Sequence, residues 1–201
     1  MKLFATEMLT LDGVYQGPGG PDEDRSGGFE RGGWAGLHAD EAMGPYLVSM
    51  FERADALLLG RKTFEIWEPY WPNHDDNPFG HRINLLPKYV PSTTLKDPQW
   101  AGTKVLDGDV EAAIRDLKAQ PGNELQVHGS GVLLRWLLEH DLVDELNLRV
   151  YPVIVGDGMR LFPDEGQTHD LELVEQQTTS TGVLVLTYRP RGRATFGSAE
   201  A

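Results

Sequence analysis

Residues 127–134 read Val127-His128-Gly129-Ser130-Gly131-Val132-Leu133-Leu134, and this stretch decides the fold. The apolar residues before it, 125–127, suit a short buried strand, and after the glycines Leu133, Leu134, Trp136, Leu137 and Leu138 fall at helical spacing. A strand that runs straight into a helix does not turn back as a hairpin, so its sheet neighbours are reached by crossover and lie parallel. The same grammar appears upstream. Ala56-Leu57-Leu58-Leu59 is a short apolar strand, Gly60 stops it, and a helix opens near Arg61, runs into Trp67 and ends before Pro69 and Pro72. Asp109 caps a further helix with Val110, Ala113, Ile114 and Leu117 on one face, stopped by Pro121-Gly122.

Working outward, residues 2–11 alternate loosely and read as a first strand ending at Asp12-Gly13. Met43, Tyr46, Leu47, Met50, Phe51 and Ala54 follow helical spacing, with Pro45 tolerable in the first turn. Residues 73–82, NHDDNPFGHR, read as loop, and residues 88–92 as an edge strand, because Pro91 cannot donate to a ladder. Residues 103–106 form another short strand. Residues 145–155 are strand-like, broken at Pro152 and closed by Gly156-Asp157-Gly158, and residues 171–177 and 182–189 pair as an antiparallel hairpin. The expected architecture is a single α/β domain over residues 1–189. It has a mixed, mostly parallel central sheet flanked by helices on both faces, with a C-terminal antiparallel hairpin. Residues 190–201 have little to bury and are expected to fray.

The chain has 201 residues, with 18 Lys and Arg against 31 Asp and Glu, a formal charge of −13. That charge repels polyanions, which excludes general nucleic-acid binding and anionic membrane surfaces as partners. No apolar run approaches the roughly 20 residues of a membrane helix, and Glu7 and Asp12 interrupt the first segment as a signal sequence. Cysteine is absent, which removes disulfides, thiol nucleophiles and thiolate zinc sites and makes a cytoplasmic location the default. The 23 glycines exceed the roughly 14 expected from average usage. Many sit in residues 16–36, QGPGGPDEDRSGGFERGGWAG, a loop too long to be idle in a compact domain. Phe29 and Trp34 argue against a plain linker, so the segment reads as a lid or site-lining loop, the alternative being a mobile surface excursion.

The two glycine-bearing junctions carry the strongest chemical signal. Gly60-Arg61-Lys62-Thr63 places two cations and a hydroxyl in one helical turn, and exposed N–H groups at such a turn favour an anion. Gly129-Ser130-Gly131 permits close approach of a diphosphate, but it is not the dinucleotide fingerprint. Leu134 stands at the third glycine position, and Arg149 lies where a ribose-binding acid would be expected. Each turn alone is also compatible with a simple tight turn.

Asp12-Gly13, Gly60-Arg61-Lys62-Thr63-Phe64-Glu65 and His128-Gly129-Ser130-Gly131 together resemble the dihydrofolate reductase superfamily. Asp144-Glu145-Leu146, Pro152-Val153-Ile154-Val155-Gly156-Asp157-Gly158 and Leu161-Phe162 narrow the resemblance to the reductase half of the bacterial bifunctional riboflavin deaminase–reductase, over roughly residues 2–189. The resemblance implies a dihydrofolate-reductase-like three-layer fold, NADPH as hydride donor, a small heterocyclic substrate and a homodimer. It assigns Gly60, Arg61, Lys62 and Thr63 to the adenosine phosphates, with Arg61 favouring the 2′-phosphate. It also assigns Ser92 and Thr93 to the adenosine, Gly129, Ser130, Gly131, Val132 and Leu133 to the diphosphate and nicotinamide side, and Asp12 and Gly13 to the border of the central cleft. Gly32-Gly33-Trp34 lies where a substrate-covering loop would run. The zinc deaminase chemistry of the bifunctional enzyme uses Cys ligands, so only the reduction is expected of this chain.

Asp12, Asp40, Glu41 and Glu65 are the candidate proton donors, although a capping or surface role is the first expectation for each. His74, Asp75, Asp76 and His81 lack helical metal-ligand spacing and are expected to be solvated loop, with no metal bound. His128 reads as a buried, satisfied histidine, and Trp34, Trp67, Trp71 and Tyr151 as core aromatics able to stack on a flat ligand. A nucleotide-binding module without catalysis, or a structural dimer, would carry the same motifs.

Overall fold

The computed structural model describes residues 1–197. Its strands are β1 (Lys2–Thr10), β2 (Ala54–Leu58), β3 (Lys88–Pro91), β4 (Thr103–Leu106), β5 (Glu124–His128), β6 (Glu145–Tyr151), β7 (Leu171–Thr178) and β8 (Leu184–Pro190). Its helices are α1 (Met43–Glu52), α2 (Arg61–Trp67), α3 (Pro78–Leu85), α4 (Val110–Ala119) and α5 (Gly131–Glu139). The eight strands form one sheet in the order β4-β3-β2-β5-β1-β6-β8-β7. Strands β4 through β6 are parallel, and β8 and β7 add antiparallel at one side. The mixed α/β sheet with a terminal hairpin is therefore the one the strand–helix alternation predicts.

The apolar spacing of each helix fixes which face it covers. Ile114 and Leu117 of α4 and Leu134 and Leu137 of α5 pack with Leu3, Ala5, Leu58, Leu125 and Val127 on one face. Met50 and Phe51 of α1, Phe64 of α2 and Ile83 of α3 pack with Phe4, Leu57 and Val90 on the other. Strand β1, between β5 and β6, is covered on both faces, and such strands read as near-continuous apolar runs. A third cluster of Val14, Phe29, Trp34, Tyr151, Val155 and Val183 anchors the glycine-rich segment to the end of β6.

Three expectations need correction. Residues 73–82 are not all loop, because α3 begins inside them. Asn77 caps it by accepting from the Gly80 N–H at 2.8 Å, Pro78 takes the first turn, and Ile83 is fully buried. Asn77→Ala is expected to cost about 1 kcal/mol, read as a shifted urea midpoint with unchanged slope. Strand β3 is interior rather than edge, since β4 pairs outside it. Pro91 is its last residue, and the next amide, Ser92, resumes pairing by donating to the Leu106 carbonyl at 3.1 Å. Finally, the fraying expected after residue 190 does not begin there. Arg191 N–H donates to the Asp170 carbonyl, Asp170 N–H donates to Gly192, and Arg193 reaches the Glu139 carbonyl. Residues 198–201 of the expected tail lie outside the described residues.

Candidate active site

Parallel sheets bind ligands beyond the carboxyl ends of their strands. A cavity of about 730 Å³ opens there, and residues from the ends of β1, β3, β4, β5 and β6 and from the turn after β2 line it. That size suits an organic cofactor or substrate. Residues 60–63, Ser92, Thr93 and residues 129–133, all expected at a nucleotide, line this one space.

Ser130 joins the two glycine turns. Its Oγ accepts the Gly60 N–H at 2.9 Å and donates to Thr63 Oγ1 at 2.9 Å. Gly129 and Ser130 both take the left-handed conformation, at φ 57° and 64°, which a non-glycine residue adopts only when held. A methyl group at Gly60 would approach Ser130 Cβ to 3.1 Å, and one at Gly131 would sit 2.6 Å from the Tyr15 ring, so both glycines answer to close approach. Arg61 pairs with Glu65 at 2.7 Å on an exposed surface, a bond weak enough to exchange for a ligand anion. Lys62 Nζ reaches Ser26 Oγ at 3.1 Å and ties the glycine-rich segment to the turn.

That segment forms a fixed wall. Gln16 donates to the Ser26 carbonyl at 2.9 Å and accepts from the Met159 N–H, and Gln16, Gly17, Pro18, Glu23 and Asp24 face the cavity. Trp34, expected at the substrate, instead stays in the core. It is 7% exposed, donates Nε1–H to the Gln16 carbonyl at 2.8 Å and meets Tyr151 edge to face. The wall is braced by Trp34 rather than presenting it.

The expected proton donors are placed elsewhere. Asp12 accepts from Thr10 Oγ1 at 2.6 Å and from the Val155 and Gly156 amides. Burial works to raise its pKa, but these bonds outweigh it and hold the carboxyl below its ordinary value. It staples the loop after β6, and Gly13 turns beside it at φ 80°; neither lines the cavity. Asp40 is exposed and accepts from the Ser180 hydroxyl and amide and from the Ala42 N–H, the Ser180 hydroxyl above all lowering its pKa. Glu41 is exposed outside the cavity, and Glu65 is engaged by Arg61. Capping and stapling are the roles these carboxylates fill.

His128 is buried and neutral. Burial first, then the nearby Arg149 charge, pushes its pKa down to about 3. Its ring stacks on Phe51 at 4.3 Å, and its Nε2 lies 2.9 Å from Gln126 Oε1, an oxygen that can only accept. Gln126 in turn donates to the Met50 carbonyl and to Glu124, which pairs with Arg53. This chain along one face of β5 fixes α1 against the sheet. Trp67 lines the cavity beside His128, whereas Trp71 packs on Trp67 away from it. His74 stacks on Tyr70, His81 pairs with Asp75, and among the described residues no three metal-binding side chains gather.

Sequence reasoning missed the two most informative side chains. Among the described residues, two buried side-chain polar atoms lack a hydrogen-bond partner, Glu7 Oε2 and Arg149 Nε, and both residues line the cavity. Glu7 is 2% exposed near the end of β1, its Oε1 accepting from the Met8 N–H at 3.0 Å. Burial raises its pKa to about 8, against the opposing pull of that amide and of Arg149. Its carboxyl is therefore largely protonated at neutral pH.

An eight-stranded mixed sheet with a ligand-sized cleft at its carboxyl edge defines the class, a dihydrofolate-reductase-like α/β protein. Within that class the chain belongs to the RibD C-terminal domain family, whose model matches residues 1–185, and it is reductase-like in the sense of that family. It is similar to the uncharacterized protein YyaP of Bacillus subtilis (strain 168), with 28% identity over 195 residues, covering 95% of this chain and 96% of that one. It shares its fold with a putative riboflavin biosynthesis protein from Shewanella sp. PV-4 (TM-score 0.68, 22% identity, 95% of this chain and 99% of that chain). It also shares it with a diaminohydroxyphosphoribosylaminopyrimidine deaminase/5-amino-6-(5-phosphoribosylamino)uracil reductase from Thermotoga maritima (TM-score 0.63, 16% identity), covering 94% of this chain and 56% of that one. No helix among the described residues is long and apolar enough to cross a membrane.

Proposed function

We propose that this protein is an NADPH-dependent reductase of a small heterocyclic or carbonyl compound, of the kind that reduces the ribosylaminopyrimidine of riboflavin synthesis. The observation that carries the reading is the convergence of both glycine turns and the end of β3 on one cavity. The residues present fit a dinucleotide. Gly60 and Gly131 keep side chains out of places a Cβ would fill, the α5 N-terminus offers free amides, and Arg61 and Lys62 supply cations in an acidic chain. When bound, the cofactor supplies the hydride. Arg61 meets a 2′-phosphate with its planar fork, Ser92 and Thr93 border the adenosine, and residues 129–133 border the diphosphate. Trp67 and Met8 exclude water from the inner cleft. Glu7 holds the proton at Oε2 that a reduced C=N or C=O bond requires.

The test is NADPH titration followed by quenching of the five tryptophans, together with a thermal shift. Saturating NADPH that gives neither response removes the reading. NADPH oxidation across candidate substrates then separates an enzyme from a nucleotide-binding module. Arg61→Ala is expected to weaken NADPH by about tenfold or more and NADH little, since a charge-assisted phosphate contact contributes about 1.5–3 kcal/mol. Equal losses for both would take Arg61 off the 2′-phosphate.

A further inference from the structure

We infer that Arg149 receives a carboxylate of the substrate, so that the compound bound beside the cofactor is a small monoanionic acid rather than a phosphate ester. The inference rests on the reading of the cleft as a reductase site and names the class of ligand it takes, which differs from the phosphoribosyl compound named for the Thermotoga maritima enzyme.

Arg149 stands on β6 in register with Met8 of β1 and lines the cavity. Among the arginines of the described residues it alone is buried, at 8% exposure. Every other arginine makes an ion pair or donates to a backbone carbonyl, whereas Arg149 makes neither among the described residues, in a chain with 31 carboxylates. Its polar neighbours on the same face are already spent. Thr6 Oγ1 and Tyr46 OH both donate to Asn147 Oδ1 at 3.0 Å, and Asn147 Nδ2 donates to Thr187 Oγ1 at 3.0 Å. His128 is neutral, and Glu7 lies beyond ion-pair distance and keeps its proton.

A buried guanidinium without a counter-ion is costly and is retained where something else supplies the charge. The fork geometry matches two oxygens on one planar group. The charge count discriminates further. One buried cation balances one negative charge, and the other cations of the cavity, Arg61 and Lys62, belong to the exposed glycine turn. A phosphate monoester, carrying nearly two charges, would bring an uncompensated one into the space lined by Met8 and Trp67.

The test uses the full chain, with benzoate and orotate as probes beside their uncharged counterparts benzamide and uracil, and ribose 5-phosphate as the phosphate arm. Calorimetry at saturating NADPH and without it should show at least one carboxylate binding about 10–100-fold tighter than its neutral counterpart. Arg149→Met should abolish that preference and Arg149→Lys should retain part of it. With no ligand, Arg149→Met should unfold at a higher temperature than the parent, which also shows that the variant folds. NADPH affinity by tryptophan quenching should be unchanged in both variants. The inference is overturned if no carboxylate is preferred, if ribose 5-phosphate binds as well as the carboxylates, or if Arg149→Met keeps the preference. It is also overturned if Arg149→Met loses NADPH, which would place the guanidinium on the cofactor. Carboxylate binding without any NADPH binding would leave Arg149 as assigned and remove the reductase reading instead.

Discussion

Glu7→Gln is expected to lower turnover by about 10²–10⁴-fold, the usual contribution of a positioned acid, while leaving NADPH binding near that of the parent. Glutamine keeps the shape and removes the transferable proton. The pH dependence has a definite sign. Glu7 must be protonated to act, and burial holds its pKa near 8, so parent activity falls as pH rises through that value. In Glu7→Gln this alkaline limb disappears from the residual rate. Stability follows the same group. The unfolded chain releases the Glu7 proton near 4.5, whereas the native state keeps it to about 8. The native state therefore binds more protons between those values, and stability declines across that window and stays lowered above it. The decline is of the order of a few kcal/mol. Thermal unfolding at pH 5, 7 and 9 should show the loss in the parent and a flatter profile in the variant. An alkaline limb shared by both proteins would remove Glu7 as proton donor, and parallel stability profiles would show that its pKa is not raised.

The parts of this site that were legible in the sequence are those defined by local chain grammar. A glycine between an apolar strand and an amphipathic helix announces a close backbone approach wherever the helix later packs. Residues 60–63 and 129–133 were therefore visible, and they do meet in space. The inner chemistry was not, because it depends on where β1 lies. Once β5 and β6 flank it, every β1 side chain but Lys2 and Met8 is buried, and Glu7 becomes a carboxyl without solvent. One signal was available: a lone glutamate inside an apolar run is out of place in a central parallel strand. Arg149 had the matching signal, a lone cation in the apolar strand Leu146–Val150 region, but its missing partner is a property of the assembled fold.

The misassigned carboxylates fail for the complementary reason. Asp40 is claimed by Ser180, 140 positions later, and Asp12 by the Gly156 amide, 144 positions later. Neither partner can be seen in local sequence. Asn77-Pro78 is different, since an Asn cap followed by proline at the first helical position is a local start signal that the surrounding polar residues obscured. The charge of −13 likewise describes the surface, while the inner cleft presents a neutral acid and a bare cation.

Gly131→Ala should be the most damaging small substitution in the half of the cleft proposed to hold the cofactor. Gly131 is absent from the left-handed glycines, so its torsions alone would tolerate alanine. What forbids a methyl group is the Tyr15 ring, with three of its carbons within 2.6–2.8 Å of the new Cβ. Tyr15 has little freedom to withdraw. Its N–H donates to the Met159 carbonyl at 3.0 Å, and Val14 and Gln16 on either side are buried. The strain must therefore pass to the first turn of α5, and overpacking of this kind costs about 1–3 kcal/mol. In a domain of this size that lowers the melting temperature by roughly 2–12 °C. Because Ser130 couples this turn to Gly60 and Thr63, displacement should also weaken NADPH by tenfold or more. Tyr15→Ala makes the cause testable. Combined with Gly131→Ala it should restore most of the lost stability and nucleotide affinity, giving a double-mutant coupling of about 1–3 kcal/mol. Strictly additive losses would mean that the clash with Tyr15 is not what the glycine avoids.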